Sequence, residues 1–273
     1  VAIALGYLAA SRQIRDFNAG QTLFVGELSL EGKLRPVAGA LSIAHLAQTS
    51  GMKELFVPAS NAAEAAMVAG ITVLPTENLQ QLLDHLEGRA AIAPQQQTVM
   101  GGAPNAHAVD ISEIKGQAHA KRALMIAATG GHNILFIGPP GTGKTMLAQS
   151  LTSLLPALTA DEAIEITKIY SAAGLLGGLP FISFRPFRAP HQSASAAAVI
   201  GGGQNPRPGE LSLAHRGVLF LDELPEFRRD ILESLRQPLE SGKTVISRVK
   251  SNLTLPAKFT LIAAMNPCPC GYY

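Results

Sequence analysis

The stretch Ile134-Leu135-Phe136-Ile137-Gly138-Pro139-Pro140-Gly141-Thr142-Gly143-Lys144-Thr145 decides how this chain is read. Its four leading apolar residues lack helical spacing and suit a strand of a parallel sheet, buried on both faces. They run into Gly138 to Thr145, which keep the spacing of a phosphate-binding loop: glycine, four residues, glycine, lysine, threonine. The glycines let successive backbone N–H groups turn inward around phosphates, and a following helix would add the positive end of its dipole. Leu147, Leu151, Leu154 and Leu155 mark one face of that helix and Pro156 ends it. The loop Gly138, Pro139, Pro140, Gly141, Thr142, Gly143, Lys144 and Thr145 is therefore expected to cradle ATP, with the Lys144 ammonium on the β and γ phosphates and the Thr145 hydroxyl on Mg2+. A plain turn between strand and helix is the competing reading, and the flanking pattern weighs against it.

Two further apolar runs extend the same logic. Val218 to Leu221 ends in Asp222-Glu223, and an acidic pair where a strand emerges suits a division of labour. Asp222 would hold magnesium, directly or through water, while Glu223 orients and deprotonates the attacking water. The alternative is an acidic helix start, since Leu224 to Leu239 reads as partly helical. Phe259 to Met265 forms a third strand ending in Asn266, whose amide suits the γ phosphate or the lytic water; otherwise Asn266-Pro267 is a strand-ending turn.

Upstream, Thr22 to Leu30 reads as a strand, Ile43 to Thr49 as a helix, Leu55 to Val57 as a strand, Asn61 to Val68 as a helix, Ile71 to Leu74 as a strand and Asn78 to Leu86 as a helix. From Gly88 to Asn105 the composition shifts to Ala, Pro, Gln and Gly without apolar periodicity, as in a flexible linker. The expected organisation is a small α/β domain over 1–88, a linker over 89–107 and a second α/β unit over 108–273. Ala120, Ala123, Leu124, Ala127 and Ala128 follow helical spacing before Gly130-Gly131.

Composition fits this division. A hydrophobic fraction of 47% with 15% charged residues excludes a disordered chain. The apolar opening Val1 to Ala10 is far shorter than the about 20 residues a membrane helix needs. With no Met and no basic flank before it, the chain reads as starting inside a domain. Residues 1–90 carry 6 Lys/Arg against 8 Asp/Glu and residues 91–273 carry 16 against 12, so the second part tolerates an anionic partner without demanding one. Two cysteines near the end make no disulfide framework, and a reducing, cytoplasmic compartment is expected.

Gly130-Gly131-His132-Asn133 through Thr145, Arg188-Ala189-Pro190-His191, Gly217 through Phe227 and Met265-Asn266-Pro267-Cys268-Pro269-Cys270-Gly271 together resemble the ComM/YifB family. These are AAA+ ATPases related to the ATPase subunit of magnesium chelatase, and the resemblance runs over essentially the whole chain. It implies an α/β fold: a P-loop AAA+ core with a parallel sheet flanked by helices, preceded by a small, partial Lon-protease-like α/β domain. It implies a homo-hexameric, ATP-dependent ring acting as a branch-migration helicase on branched or single-stranded DNA during natural transformation, with no membrane contact. Carried over by position, Gly138 to Thr145 look like Walker A, Asp222 and Glu223 like Walker B, and Asn266 like sensor 1. Thr244 to Leu255 looks like the hairpin before sensor 1, and Ser171 to Arg216 like an insertion typical of the chelatase-related branch. In the first domain the position of the catalytic lysine of Lon falls on Ile43 and that of its serine before Val1, so no peptidase activity is expected. The chain stops at Tyr273, before the family's lid with its arginine finger and sensor 2, so nucleotide binding is expected to survive better than hydrolysis in this stretch alone.

Several signals are weaker. Phe184, Arg185, Phe187 and Arg188 interleave rings and guanidinium groups as single-strand binders do, or are core phenylalanines beside a solvated rim. Arg248 and Lys250 alternate along the expected hairpin and could meet DNA phosphates. Cys268 and Cys270 make at most half of a zinc site. The competing functions are an ATPase subunit driving metal insertion into a porphyrin, and an ATP-dependent peptidase or regulatory nucleotide-binding module.

Overall fold

The computed structural model describes residues 1–15, 17, 19–99, 109–202, 206–247 and 252–267. It divides into two compact units, Val1–Gly101 with Tyr170–Ile182, and Gly102–Ile169 with Ser183–Tyr273. No helix among the described residues is long and apolar enough to cross a membrane.

The first unit is built on parallel strands β1 (Thr22–Phe24), β2 (Glu54–Pro58) and β3 (Thr72–Thr76), in the order β1-β2-β3. Side chains alternate across a strand, so Leu55, Val57 and Val73 share one cluster with Ala44, Ala62 and Ala65, while Phe56 and Leu74 face Leu5, Leu82 and Ile92. Helices α1 (Ala2–Ala10), α2 (Ala40–Thr49), α3 (Ala59–Ala65) and α4 (Leu79–Leu86) supply those partners. With both faces covered, the strands must be apolar throughout rather than alternating. Asn78 caps α4 by accepting from Gln81 N at 2.8 Å.

Two expectations change here. The single strand over Thr22 to Leu30 is broken at Gly26 (φ +147°), and pairing resumes as a two-residue ladder of Glu27–Leu28 with Leu34–Arg35. A side chain at Gly26 would press on Leu34 and Pro58, so the chain turns where only glycine fits. The stretch expected as a free linker is also held in part: Ile92 is buried, Gln95 N donates to Val73 O at 2.8 Å and Thr98 N to Ala66 O at 3.1 Å. Low apolar periodicity hid this docking, in which a single buried isoleucine is joined by backbone hydrogen bonds and by the Thr98 hydroxyl on Ala63 O.

The second unit holds a parallel sheet of β4 (Ile134–Ile137), β5 (Phe187–Arg188), β6 (Val218–Leu221) and β9 (Thr260–Met265), with β7 (Lys243–Ser247) and β8 (Asn252–Pro256) forming a separate antiparallel hairpin. The sheet order is β4-β9-β6-β5. Helices α5 (Ala118–Gly130) and α6 (Lys144–Leu154) cover one face, where Leu124, Leu147 and Leu151 meet Val218, Phe220 and Ile262. On the other face Leu219 and Leu221 meet Val199, Leu211, Phe227 and Ile231. All four β6 side chains are buried, each worth roughly 1.5–3 kcal/mol against exposure.

Strand β4 departs from the expected full burial. Ile134 and Phe136 pack on the face covered by α5 and α6, while Leu135 and Ile137, on the other face and outside the cluster that covers β6 there, stay 47% and 52% exposed. The apolar run was read correctly as parallel strand, but a linear run does not show whether the fold covers both faces. The segment from Ser171 to Arg216, which the resemblance read as an insertion, supplies a strand of this sheet through Phe187–Arg188.

Candidate active site

Strand order brings the carboxyl ends of β4, β9 and β6 side by side, the edge where ligands bind in open α/β sheets. Gly138, Asn266 and Asp222 each follow one of these strands directly, and Gly138 N donates to Met265 O at 3.2 Å. The loop after β4 takes positive φ at Gly141 (+78°) and Gly143 (+82°), and Gly143 caps α6 so that the helix begins at Lys144. An L side chain is strained at such angles, so the glycines shape the cradle that the helix dipole favours for anions.

The expected site residues converge. The Lys144 ammonium donates to Gly138 O at 2.7 Å, Pro139 O at 3.0 Å and Asn266 Oδ1 at 3.1 Å. Thr145 Oγ1 donates to Asp222 Oδ2 at 3.3 Å, and Glu223 N donates to Asp222 Oδ1 at 3.0 Å. A cavity of about 360 Å³ opens between these groups, walled by Gly141 to Thr145, Asp222, Glu223 and Asn266. Thr145 and Asp222 offer a hydroxyl and a carboxylate to one point, the all-oxygen donor chemistry a hard cation such as Mg2+ prefers. The anion cradle, the ammonium and this oxygen pair together fit a magnesium nucleotide.

Two features of the site escaped the sequence reading. Glu223 adopts the left-handed conformation (φ +54°), a cost of order 1–3 kcal/mol for a non-glycine residue that clusters at functional sites. Gln117, also left-handed (φ +54°), donates from Nε2 to Thr142 O at 3.3 Å and so ties the start of α5 to the phosphate loop. Only the Gly116-Gln117 pair before the helix hinted at it.

Arg185 and Arg188 are engaged elsewhere. Arg188 grips Glu210 with two hydrogen bonds of 2.6 Å. Arg185 donates to Pro156 O, Arg216 O and Glu162. Phe187 stacks on Phe220 with ring centroids 6.0 Å apart. Phe187 thus packs against the core, while both guanidinium groups are held by carboxylates rather than forming a solvated rim. Arg248, Lys250, Cys268 and Cys270 lie outside the described residues, although the hairpin strands that flank Arg248 and Lys250 pair from Lys243↔Pro256 to Ser247↔Asn252.

At the opposite end of β6 sits a charge cluster of another kind. His215 is buried, its Nε2 bonded to Glu165 at 3.1 Å and its Nδ1 accepting from Lys258 N at 3.0 Å. That pattern makes the ring a neutral donor from Nε2. Burial pushes the imidazole down, outweighing the pull of Glu165. Burial pushes the Glu165 carboxyl up, but hydrogen bonds from Arg216 and His215 outweigh it and hold the group below its ordinary value.

A strand, a glycine-rich loop opening a helix, and an acidic pair on a non-adjacent parallel strand define the class: a P-loop nucleotide-binding protein with an AAA+ core. Comparison with known proteins carries this further. Residues 110–273 match the family described as magnesium chelatase, subunit ChlI, and residues 1–61 match one described as subunit ChlI of Mg-chelatase. The chain belongs to the magnesium chelatase ChlI family. It is 49% identical to competence protein ComM of Haemophilus influenzae over 99% of this chain and 54% of that protein. It is 47% identical to the uncharacterized protein YifB of Escherichia coli over 99% of this chain and 53% of that one. The magnesium-chelatase 38 kDa subunit of Rhodobacter capsulatus is 27% identical over 61% of this chain and 52% of its own. The chain thus spans about half the length of the curated relatives it matches. Among solved structures, a chain of the BchI–BchD complex of magnesium chelatase aligns with a TM-score of 0.46 at 25% identity, covering 57% of this chain and 54% of that one. AAA+ members of this family are nucleoside triphosphatases that use ATP with Mg2+.

Proposed function

We propose that this chain carries the ATP-hydrolysing site of a ring motor that drives branch migration of DNA. The observation that supports the hydrolytic part is the convergence of Lys144 with Asn266 at 3.1 Å and of Thr145 with Asp222 at 3.3 Å at one sheet edge. In this reading Lys144 and the loop N–H groups hold the phosphates, and Thr145 and Asp222 hold Mg2+, which when bound neutralises charge developing on the phosphate oxygens. The Glu223 carboxylate takes the proton of the attacking water, and the Asn266 amide fixes the γ phosphate or that water. Hydrolysis proceeds by in-line displacement, so the protein's share is positioning and charge.

The domain reading goes with it: a Lon-like, non-peptidase unit over 1–88 and the ATPase core over 108–273. Ile43 packs against the apolar cluster of Ala44, Leu55 and Val57, which supports an unreactive role at that position. The proposed assembly is a homo-hexamer formed with ATP, working in the cytoplasm on branched or single-stranded DNA. The likeness to a competence protein supports DNA over a metal-insertion role, and the hairpin with Arg248 and Lys250 is the proposed DNA contact. The test is ATP turnover by the complete protein. A rise with a four-way DNA junction supports the motor; a rise only with a porphyrin and its chelating partner replaces it with the chelatase reading. Replacing Arg248 and Lys250 by Ala should flatten the salt dependence of junction binding by up to about two units of log–log slope, since each phosphate contact releases a counterion.

A further inference from the structure

Gln117 is a long amide at a position whose backbone favours glycine. Gly116 (φ +70°) and Gln117 (φ +54°) both take the left-handed region, which glycine enters freely and other residues resist. The residue is mounted between two anchors. Ile114 before it and Leu124 after it are buried in one cluster with Leu147 and Leu151 of α6, and Gln117 O accepts from Lys121 N at 2.9 Å where α5 starts. From this fixed base the side chain reaches the phosphate loop, its Nε2 donating to Thr142 O at 3.3 Å.

The consequence lies in the peptide that this bond holds. In a planar trans peptide the C=O of one residue and the N–H of the next point in opposite directions. Thr142 and Gly143 line the nucleotide cleft and Gln117 is not one of its walls, so a Thr142 carbonyl drawn toward Gln117 leaves the Gly143 N–H facing the cleft. That N–H donates to no acceptor among the described residues. The start of the loop is held by the loop itself: Gly138 O and Pro139 O accept from Lys144, and Pro139 O also accepts from Thr142 Oγ1 at 2.9 Å. The Thr142–Gly143 peptide needs an outside hold more than these do. Gly143 sits at φ +82° but lacks the Cβ that would bar negative φ, so sterics alone do not stop the peptide from flipping. We infer that Gln117 is a positioning residue for the phosphate loop: by holding Thr142 O on the side away from the cleft it keeps the Gly143 N–H turned toward a phosphate oxygen. This inference rests on the loop being the nucleotide site.

The test is nucleotide binding and turnover by the complete protein carrying Gln117→Met, which keeps the length and removes the donor, or Gln117→Gly, which removes the side chain and suits the left-handed backbone. An N–H that serves phosphates common to ATP and ADP acts alike on both. Each variant should therefore weaken ATP and ADP by the same factor, about threefold to tenfold, the effect of one hydrogen bond. KM should rise by that factor while kcat at saturating ATP stays within about twofold, because the contact is made equally before and during the reaction. Without nucleotide, Gln117→Met should melt within about 2 °C of the wild type, and Gln117→Gly at the same temperature or higher, since its backbone strain is relieved. Weaker binding with undiminished stability is a combination that a merely structural role does not give. Unchanged affinity in both variants overturns the inference, and so does a loss of affinity matched in both by a lower melting temperature. Lys144→Ala measured alongside separates the two levels. If Lys144→Ala binds ATP like the wild type, the nucleotide reading of the loop fails and the inference with it; if Lys144→Ala loses ATP while the Gln117 variants do not, only the inference fails.

Discussion

The two ends of strand β6 are built alike and treated in opposite ways. Each is bracketed by a non-glycine residue in the left-handed conformation, Arg216 at φ +61° and Glu223 at φ +54°. At the amino end His215, Arg216, Glu162 and Glu165 are matched to one another. Arg216 N donates to Lys258 O at 2.6 Å, its guanidinium reaches Glu162 and Glu165, and its carbonyl accepts from Arg185. Among the described residues, the exposed Glu223 side chain at the carboxyl end makes no ion pair and the Asp222 carboxylate accepts only from a hydroxyl and a backbone N–H. The difference separates strain that neighbouring hydrogen bonds offset from strain kept beside unspent charge. A charge already neutralised by a partner cannot do much for a ligand, so the under-paired end is where chemistry is expected.

If that contrast is sound, the largest effect lies at the carboxyl end. Glu223→Gln removes the base and leaves the phosphate cradle, so turnover of the complete protein should fall about 100- to 10,000-fold while ATP affinity is kept. Single-turnover kinetics with a parallel binding titration checks this, and near-normal hydrolysis would move the base elsewhere. Lys144→Ala should act on binding instead, weakening ATP about 100-fold, in keeping with loss of a charge-assisted hydrogen bond. Equal affinity in calorimetry would remove the phosphate role of the loop, and a lower melting temperature without nucleotide would make Lys144 a structural residue.

The amino end should respond in stability. A Cβ at Gly217 would lie 2.1 Å from Pro186 O and 2.8 Å from Pro186 N, so Gly217→Ala must push β5 and β6 apart. The expected cost is roughly 1–3 kcal/mol, read as a lowered urea midpoint. An unchanged midpoint would mean that the two strands separate freely there. The smallest effect is on pH. His215 has a folded pKa below the ordinary imidazole value of about 6.5, so the unfolded chain binds more protons than the folded one between the two. Stability is therefore complete above about pH 6.5 and declines as pH falls from there. Glu165, also lowered, adds its loss only as pH drops below the ordinary carboxylate range. His215→Gln should shallow the first decline, and identical melting curves against pH for both proteins would show that Glu165, Glu162 and Arg216 keep the ring as easily charged as in the open chain.

Much of the candidate site was legible because its chemistry is local in sequence. The spacing of Gly138, Gly143, Lys144 and Thr145 after an apolar run specifies strand, loop and helix within a dozen residues. Asp222-Glu223 and Asn266 were legible as polar residues ending apolar runs. The ion pairs of Arg185 with Glu162 and of Arg188 with Glu210 were not legible, since spacing along a chain carries no information about carboxylates brought near by the fold. The apolar run likewise gave Leu135 and Ile137 a buried place that the uncovered face of β4 does not provide.

By itself the sequence determined the elements and their chemical content: which runs could be strands, where glycine permitted a phosphate loop, and which acids and amides stood at strand ends. Tertiary structure decided neighbourhood. The order β4-β9-β6-β5 sets Lys144 against Asn266 and Thr145 against Asp222, and packing pairs the cluster around His215. The reason is physical. Local structure follows from steric preferences and apolar periodicity within a few residues, whereas the pairing or isolation of a charge depends on groups brought together by packing from distant parts of the chain.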